Sequence, residues 1–391
     1  MPTPTLEVFA VEDTAAQIIW RGLGPGPHEV SAGPARVVVQ GGPGAGAVGA
    51  GAGAVVLDGL APGTRYAVAV RGEGGAPVAA GAFSTLESPP GPLLSRFATV
   101  NDVHIGEQGG GSPFFLSDPH PRPPGLEPYP LRCLRAAVAE AIDWGAELIV
   151  VKGDLTRAAE PVEFAEVADF LTGLPVPVEA VLGNHDVVDR GFDPFSALST
   201  RGVAVSREPW ARELRGIRMI FGQTSLSRFK HGELPDEQVK PIVELAAAGG
   251  PCFVVIHHQL QRWRHPIYYP PGVPGPEAHR FTDALSAANP DILVASGHTH
   301  RTRTYRTGCV TTVEVGSTKD YPGVWAGYAV HEGGIRQVVR RIAAPDAIGW
   351  TERSRRGVLG IWGKWAPGTL AQRCFVQRWQ RPQRPQRPAR P

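Results

Sequence analysis

Seven side chains of the kinds that bind metal ions lie between positions 102 and 300 of this sequence. They are Asp102, His104, Asp154, Asn184, His257, His298 and His300. Carboxylate, imidazole and amide oxygen together suit divalent ions such as Mn²⁺, Fe²⁺, Zn²⁺ or Co²⁺. No cysteine lies among them, which argues against a structural zinc knot. Seven groups are too many for one ion, but two ions that share a carboxylate could use them all.

These residues belong to five short motifs, Asp-x-His, Gly-Asp, Gly-Asn-His-Asp, His-His and Gly-His-x-His, and each motif follows an apolar run. The runs read as buried strands at 97–100, 148–151, 176–182, 252–256 and 292–295. Predicted helices with apolar side chains every three or four positions occupy 131–144, 162–171, 235–248 and 277–288. In open α/β sheets, ligands bind beyond the carboxyl ends of the strands. We therefore expect residues 95–342 to form an α/β domain whose metal-binding side chains meet at one sheet edge.

The first part of the chain, residues 1–90, is predicted to be a small β-sandwich. Its short β-branched runs at 17–20, 35–39 and 54–57 are separated by Gly/Pro turns. The segment from Leu60 to Tyr66 resembles the corner of a fibronectin type III sandwich, in which a tyrosine hydroxyl bonds back to the preceding turn. Trp20 would be the central core aromatic, and a generic small β-domain is the alternative.

The composition indicates a globular protein, and the charge argues against a broad nucleic-acid-binding surface. Of the 391 residues, 42% are hydrophobic and 19% are charged. The net charge is +2, but it becomes −3 when the five arginines from Arg378 onward are left out. A slightly acidic body argues against a broad nucleic-acid-binding face. Residues 343–379 are predicted to be an extension that packs on the α/β domain, and residues 380–391 a disordered Arg/Pro/Gln tail.

Cysteine usage and the absence of targeting signals bear on location. Cys133, Cys252, Cys309 and Cys374 lie far apart without CxxC spacing, so we expect free thiols rather than bridges. The first residues lack the basic and then apolar pattern of a secretory signal, and no stretch is long and apolar enough to span a membrane. We expect a cytoplasmic protein with no membrane partner, and the oligomeric state stays open.

The five motifs, in this order and each after a strand, resemble those of the calcineurin-like metallophosphoesterases. The resemblance covers roughly residues 96–331, most of the chain. It implies a four-layer fold of two stacked mixed sheets flanked by helices. It also implies one ion held by Asp102, His104, Asp154 and His300, and a second ion held by Asp154, Asn184, His257 and His298.

The resemblance further implies a mechanism for phosphate-ester hydrolysis. Asp154 would bridge the ions, and His185 would lie unliganded beside the site with its ring oriented by Asp186. Two cations lower the pKa of a bridging water, so that hydroxide can attack phosphorus. The metals and His185 would stabilise charge on the phosphoryl oxygens, and His185 could protonate the leaving alkoxide. The ligands suit Mn, Fe, Zn or Co and do not choose among them.

Within the family, Gly153-Asp154-Leu155-Thr156 and the pair His257-His258 are most similar to the bacterial cyclic-nucleotide and glycerophosphodiester phosphodiesterase branch. That branch usually continues His-His-Pro, whereas Gln259 follows here. We therefore expect a small phosphodiester as substrate, with selectivity set by loops at 106–130 and 262–276. A phosphomonoesterase and a non-catalytic metal-binding scaffold of the same fold are the alternatives. His258 is left open as a neighbour or a support of the site, and Arg157 is expected to be solvated.

Overall fold

The structure is a computed structural model that describes residues 4–42, 51–72, 75–107, 127–188, 191–226, 231–262 and 269–380. Large parts of the two loops expected to set selectivity, at 108–126 and 263–268, lie outside the described residues. The tail at 381–391 lies outside them as well.

Seven strands in two antiparallel sheets form the N-terminal part. They are β1 (Thr5–Val11), β2 (Ala15–Arg21), β3 (Gly26–Ala32), β4 (Ala35–Gly41), β5 (Gly53–Asp58), β6 (Arg65–Arg71) and β7 (Pro77–Ser84). The strand orders are β1-β2-β5 and β4-β3-β6-β7. Trp20 is buried in the core, and the amide of Ala61 donates to the Tyr66 hydroxyl at 2.8 Å. This arrangement is consistent with a small β-sandwich, and its assignment to the fibronectin type III kind stays a prediction.

Strands and helices alternate after β7, as the apolar periodicity predicts. The elements are β8 (Leu93–Val100), α1 (Tyr129–Asp143), β9 (Ile149–Lys152), α2 (Pro161–Thr172), β10 (Val178–Val181), α3 (Pro194–Ser199), β11 (Trp210–Leu214), β12 (Ile217–Phe221), α4 (Asp236–Ala247), β13 (Cys252–Val255), α5 (Gly275–Ala288), β14 (Ile292–Ser296), β15 (Arg303–Thr307), β16 (Val310–Glu314), β17 (Val324–His331) and β18 (Gly334–Arg341). The last elements are α6 (Pro345–Ser354), α7 (Trp362–Trp365), α8 (Leu370–Arg373) and β19 (Cys374–Arg378).

Two six-stranded mixed sheets stack on each other in the α/β part. The first has the order β10-β9-β8-β17-β18-β19, and the second has the order β11-β12-β13-β14-β16-β15. Phe97, Phe253 and Tyr328 pack between them with ring centroids 4.7–4.9 Å apart. Helices α1 to α3 share an apolar core with the first sheet, and α4 and α5 share another with the second. The four-layer fold is thereby confirmed.

Complete burial explains why the central strands appear in the sequence as unbroken apolar runs. Every residue of β9, β13 and β14 is buried, because a helix layer covers one face of each sheet and the other sheet covers the opposite face. Polar groups can then appear only where these strands end. The ends are therefore the places where the sequence changes from apolar to His, Asp and Asn.

The chain after β18 is more regular than the sequence predicts. Strand β19 pairs antiparallel with β18 from Gly334↔Arg378 to Val338↔Cys374 and extends the first sheet. The predicted boundary at residue 342 therefore divides one sheet. The apolar pattern of the sequence did not predict β19, because this edge strand is only partly buried and has no continuous apolar run.

Buried charges join the N-terminal strands to the first sheet of the α/β part. Arg336 pairs with Glu12 at 2.6 Å and also with Asp13, and Arg340 pairs with Glu12. Gln17 adds two hydrogen bonds to the backbone of Arg341, at 2.7 and 2.8 Å. The N-terminal part is thus fixed directly against β18.

Candidate metal centre

The seven predicted ligands come together where strands of both stacked sheets end. Four of them follow strands β8, β9 and β10 of the first sheet, namely Asp102, His104, Asp154 and Asn184. The other three, His257, His298 and His300, follow β13 and β14 of the second sheet. The amide of His298 donates to both carboxylate oxygens of Asp102, at 3.0 and 3.1 Å, and so links the two sheets. The expectation of a single sheet edge was therefore wrong. Stacking brings the carboxyl ends of both sheets side by side.

Five of the seven predicted ligands adopt left-handed backbone conformations. Their φ angles are 52° for Asp102, 53° for His104, 51° for Asp154, 68° for His298 and 54° for His300. Positive φ is uncommon for residues other than glycine and costs free energy. Such strain persists only where the surroundings fix the backbone, and it concentrates at functional sites. Each turn points a side chain back across the strand ends instead of letting the chain continue outward.

One group of donor atoms consists of Asp102, His104, Asp154 and His300, whose atoms lie within 4.8 Å of one another. Nε2 of His104 lies 3.3 Å from Nε2 of His300 and 3.5 Å from Oδ2 of Asp154. Two donors bound to one ion at about 2.1 Å lie roughly 3.0–3.4 Å apart, depending on the angle between them. The spacing of these imidazole and carboxylate atoms therefore fits a shared ion.

A second group lies on the other side of Asp154. Nε2 of His257 is 3.3 Å from Oδ1 of Asn184 and 3.4 Å from Oδ1 of Asp154. His257, His298 and His258 also place donor atoms within 4.8 Å of one another. The role of His258 was left open by the sequence analysis. In the structure it lies beside the second group, and its Nδ1 atom is 3.0 Å from the Thr224 hydroxyl.

Hydrogen bonds to the opposite ring nitrogen fix which atom of two histidines faces the site. Nδ1 of His257 lies 2.8 Å from the carbonyl of Lys152, and Nδ1 of His300 lies 2.6 Å from Oδ2 of Asp320. A proton on Nδ1 satisfies both contacts and leaves Nε2 to face the carboxylates. Partners of this kind are typical around metal-binding histidines.

Asp320 belongs to a buried network of charged side chains that the sequence analysis did not predict. Nζ of Lys319 lies 3.0 Å from Asp320 and 2.8 Å from Glu107, and all three side chains are buried. Burial alone would raise the pKa of Asp320, but Lys319 lowers it more, so the carboxylate stays ionised and can accept from His300. The network connects the segment that carries His104 to the loop before β17. The adjacent Lys319 and Asp320 are the only sign of it in the sequence of that loop.

The pKa values of the aspartate and histidine side chains at the centre of the site depend on burial and on contacts among these side chains. Burial would raise the pKa of Asp154, but His257 and His185 lower it well below its usual range. Burial lowers the pKa of His257, and Asp154 raises it more, to about 9. For His104 and His298, burial dominates and lowers the pKa well below the usual value. Asp154 is therefore ionised, and His104 and His298 are neutral, which are the forms that bind divalent ions, whereas His257 must lose a proton before it can bind one.

Two glycines leave the space that this packing requires. A Cβ atom on Gly183 would collide with the carboxylate and amide of Asp154, and one on Gly153 would collide with the His257 ring. Gly153 also has a φ of 84°, which favours glycine. The Gly-Asp and Gly-Asn motifs thus contain glycine because neighbouring strand ends approach each other closely.

His185 is half-buried at the edge of the site, as expected for a group without a metal. Its ring packs edge-to-face on His104 with centroids 4.6 Å apart. Its Nδ1 lies 2.9 Å from the carbonyl of Arg157, whose own side chain is exposed. The carbonyl of Arg157, rather than a carboxylate, therefore orients this ring.

Asp186 requires a correction, because it was expected to orient the ring of His185. Its carboxylate instead accepts from the amides of Leu155, Thr156 and Gly183 at 2.8–3.1 Å and from the Thr156 hydroxyl at 2.8 Å. The side chain is fully buried beneath the loop. It joins the segment after β9 to the segment after β10, and both carboxylate oxygens are used in doing so. Asp186 positions Asp154 and Asn184 through the backbone.

The cysteines are free thiols, as their spacing in the sequence predicts. All four cysteines are free, and Cys133, Cys252 and Cys374 are buried. None of the helices in the described ranges has the length and apolar character needed to traverse a bilayer.

Comparison with known proteins identifies the family. The calcineurin-like phosphoesterase superfamily domain matches residues 114–332, which include Asp154 to His300 but begin after Asp102 and His104. The chain is also similar to a probable cyclic nucleotide phosphodiesterase of Psychrobacter arcticus, with 26% identity over 189 residues. That alignment covers 44% of this chain and 63% of the relative, so the chain spans less than two thirds of it.

Solved structures match this chain at low sequence identity and with TM-scores below 0.5. The structure of PhoD has a TM-score of 0.42 and 10% identity, and 85% of each chain is covered. GAP50, the anchor in the inner membrane complex of Plasmodium, has a TM-score of 0.43 and 13% identity over 66% of this chain and 87% of its own. Because the family domain matches more than half of the residues, the chain belongs to the calcineurin-like phosphoesterase superfamily.

Proposed function

We propose that this protein is a dinuclear metal-dependent phosphoesterase that favours a small phosphodiester. The observation that supports the proposal most is the position of Asp154. Its Oδ2 atom lies 3.5 Å from Nε2 of His104, and its Oδ1 atom lies 3.4 Å from Nε2 of His257. A carboxylate that faces two groups of imidazoles can serve two ions about 3.5–4 Å apart.

The two groups of donors would divide as the family resemblance implies. One ion would be held by Asp102, His104, Asp154 and His300, and the other by Asp154, Asn184, His257 and His298, with His258 beside them. When bound, the two ions lower the pKa of water at the site and neutralise charge on a phosphoryl group. Imidazole, carboxylate and amide oxygen suit Mn²⁺, Fe²⁺, Zn²⁺ and Co²⁺.

His185 is the group best placed to handle a proton. Because its Nδ1 donates to the carbonyl of Arg157, Nε2 is the ring nitrogen that can meet the substrate. When the ring is protonated on both nitrogens, Nε2 can donate a hydrogen bond to a phosphoryl oxygen, or a proton to the leaving oxygen. Contact with the ring of His104 keeps it next to the donor atoms.

Preference for a diester has support from the sequence. The relative from Psychrobacter arcticus is named a probable cyclic nucleotide phosphodiesterase. The Gly-Asp-Leu-Thr segment and the His257-His258 pair are similar to those of the same branch. Neither observation names the natural substrate, so the proposal extends only to the class of small phosphodiesters.

Hydrolysis of p-nitrophenyl esters tests this function. The protein, loaded with Mn²⁺, is expected to turn over bis-p-nitrophenyl phosphate faster than p-nitrophenyl phosphate, and EDTA should abolish both activities. Turnover of the monoester alone would replace the proposal with a phosphomonoesterase. A metal-loaded protein that hydrolyses neither ester would be a metal-binding scaffold of the same fold.

A further inference from the structure

The segment between α6 and α7 exposes a group of apolar side chains that the metal centre does not use. Leu359 is fully exposed, Ile361 is 55% exposed and Trp365 is 37% exposed. The other large apolar side chains that are exposed in the described residues are scattered singly along the chain. Single exposed apolar residues are normal, whereas a group of them marks an interaction site. We call residues 357–365 the apolar tip.

The backbone of the apolar tip is strained in a way that presents Leu359 to solvent. Val358, Leu359 and Gly360 have consecutive positive φ angles of 50°, 56° and 84°. A β-branched residue in this region is a rare outlier, and such strain is found where it serves a function. The turn is closed by hydrogen bonds from the amides of Gly360 and Trp362 to the carbonyl of Gly357.

The base of the apolar tip is fixed to the body of the protein. Trp362 is buried, and its Nε1 atom donates to the carbonyl of Tyr321 at 3.1 Å. Trp362, Tyr321 and Ala366 form a small buried apolar cluster. Leu359 and Ile361 therefore project from a fixed support, which packs against the loop that carries Asp320 and Tyr321.

The rim of the apolar tip is positively charged. Arg356 and Lys364 are exposed, and neither has a carboxylate partner among the described residues. Arg355 pairs with the buried Glu352 at 2.8 Å. No Asp or Glu follows Glu352 in the sequence, so nothing later in the chain offsets these charges.

We propose that the apolar tip docks this protein on an anionic membrane surface. Leucine, isoleucine and tryptophan side chains enter the interface between headgroups and acyl chains, and arginine and lysine attract anionic lipids. Docking of this kind needs no spanning helix. Two copies of the tip would repel each other through identical positive rims. Nucleic acid fits less well, because the two most exposed side chains, Leu359 and Ile361, are aliphatic and offer neither base stacking nor hydrogen bonds.

Co-sedimentation of the full-length protein with lipid vesicles tests this proposal. The protein is expected to bind phosphatidylcholine vesicles that contain phosphatidylglycerol and not vesicles of phosphatidylcholine alone, and added salt should weaken binding. The double variant Leu359→Asp/Ile361→Asp should bind at least about tenfold more weakly, because two apolar contacts are lost and two negative charges are added. Val162→Asp, at an exposed apolar position on α2, serves as the control and should bind like the unmodified protein.

Several outcomes would overturn the proposal. Binding that the double variant retains, or no binding to the anionic vesicles, would exclude the apolar tip as a membrane contact. Dimerisation in sedimentation velocity that the double variant abolishes would assign the tip to a second copy of the chain. Binding to a single-stranded oligonucleotide that Arg356→Glu/Lys364→Glu abolishes, without vesicle binding, would assign it to nucleic acid. Because the substituted side chains are exposed, unchanged thermal melting should show that each variant folds.

Discussion

Asp154 is the side chain on which both groups of imidazoles converge. Its motif, Gly-Asp after an apolar strand, can be recognised in the sequence. The other ligands can be recognised in the same way, because full burial of the central strands confines polar residues to the strand ends. Pattern cannot show that Asp102, Asp154 and His298 adopt left-handed conformations, since this depends on how two distant loops restrain each other. The sequence pattern also could not show that the carboxylate of Asp186 would accept hydrogen bonds from backbone amides.

The role of His185 can be tested at this scale. His185→Ala is expected to lower kcat by about 10²–10⁴, since a positioned general acid contributes that much. Metal content should stay unchanged, because the ring takes no part in either donor group. His279→Ala, an exposed histidine on α5, is the control and should leave kcat and metal content unaltered. Loss of bound metal in His185→Ala would show that the ring is a ligand.

The loop between β16 and β17 is the element that holds the first donor group together. The Ser317 hydroxyl donates to the carbonyl of Asp102 at 2.8 Å, and Asp320 accepts from His300. Lys319 connects this loop to Glu107, which follows the Asp-x-His motif. The sequence could not reveal these contacts, because Asp320 follows no strand-ending motif and its partners are distant in the chain.

Removal of the Asp320 carboxylate tests the function of this loop. Asp320→Asn is expected to weaken the affinity for one of the two ions by about 10–100-fold, as measured by competition with a chelator. The reason is that His300 loses the charged partner that fixes its ring. Asp346→Asn, an exposed carboxylate on α6, is the matched control. Equal affinity of Asp320→Asn and the unmodified protein for both ions would rule out this positioning role.

At the scale of the whole molecule, the N-terminal strands are attached to the first sheet of the α/β part through ion pairs between Glu12 and Asp13 and the β18 residues Arg336 and Arg340. The order of the strands and the pairing of β19 with β18 join segments far apart in the chain, which local periodicity cannot predict. The alternation of strands and helices, by contrast, is local and was predicted closely, with β13 beginning at the expected Cys252. The fibronectin type III assignment and the domain boundaries stay predictions.

Stability at different pH values tests this attachment. Burial would raise the pKa of Glu12, but Arg340 and Arg336 lower it more, so it lies below its usual value in the folded state. A lowered folded pKa means that the contribution of Glu12 to stability is complete above the ordinary Glu range and is lost as pH falls through the folded pKa. Glu12→Gln should therefore lower the free energy of unfolding by about 3 kcal/mol at neutral pH.

Urea unfolding of Glu12→Gln and the unmodified protein at neutral pH and below the ordinary Glu range measures this effect. The difference between the two proteins is expected to shrink in acid. Glu29→Gln, a carboxylate on β3 outside this cluster, is the control. A difference that stays constant with pH would mean that the charge of Glu12 contributes nothing to the attachment.

Metal content of the unmodified protein and of Asp154→Asn is the most direct test of the central claim. After loading with Mn²⁺ and dialysis, elemental analysis of the unmodified protein is expected to give two ions per chain. Asp154→Asn should lose most of both ions and all phosphoesterase activity, because the shared carboxylate serves both groups of donors. An Asp154→Asn protein that keeps two ions and full activity would contradict the shared site.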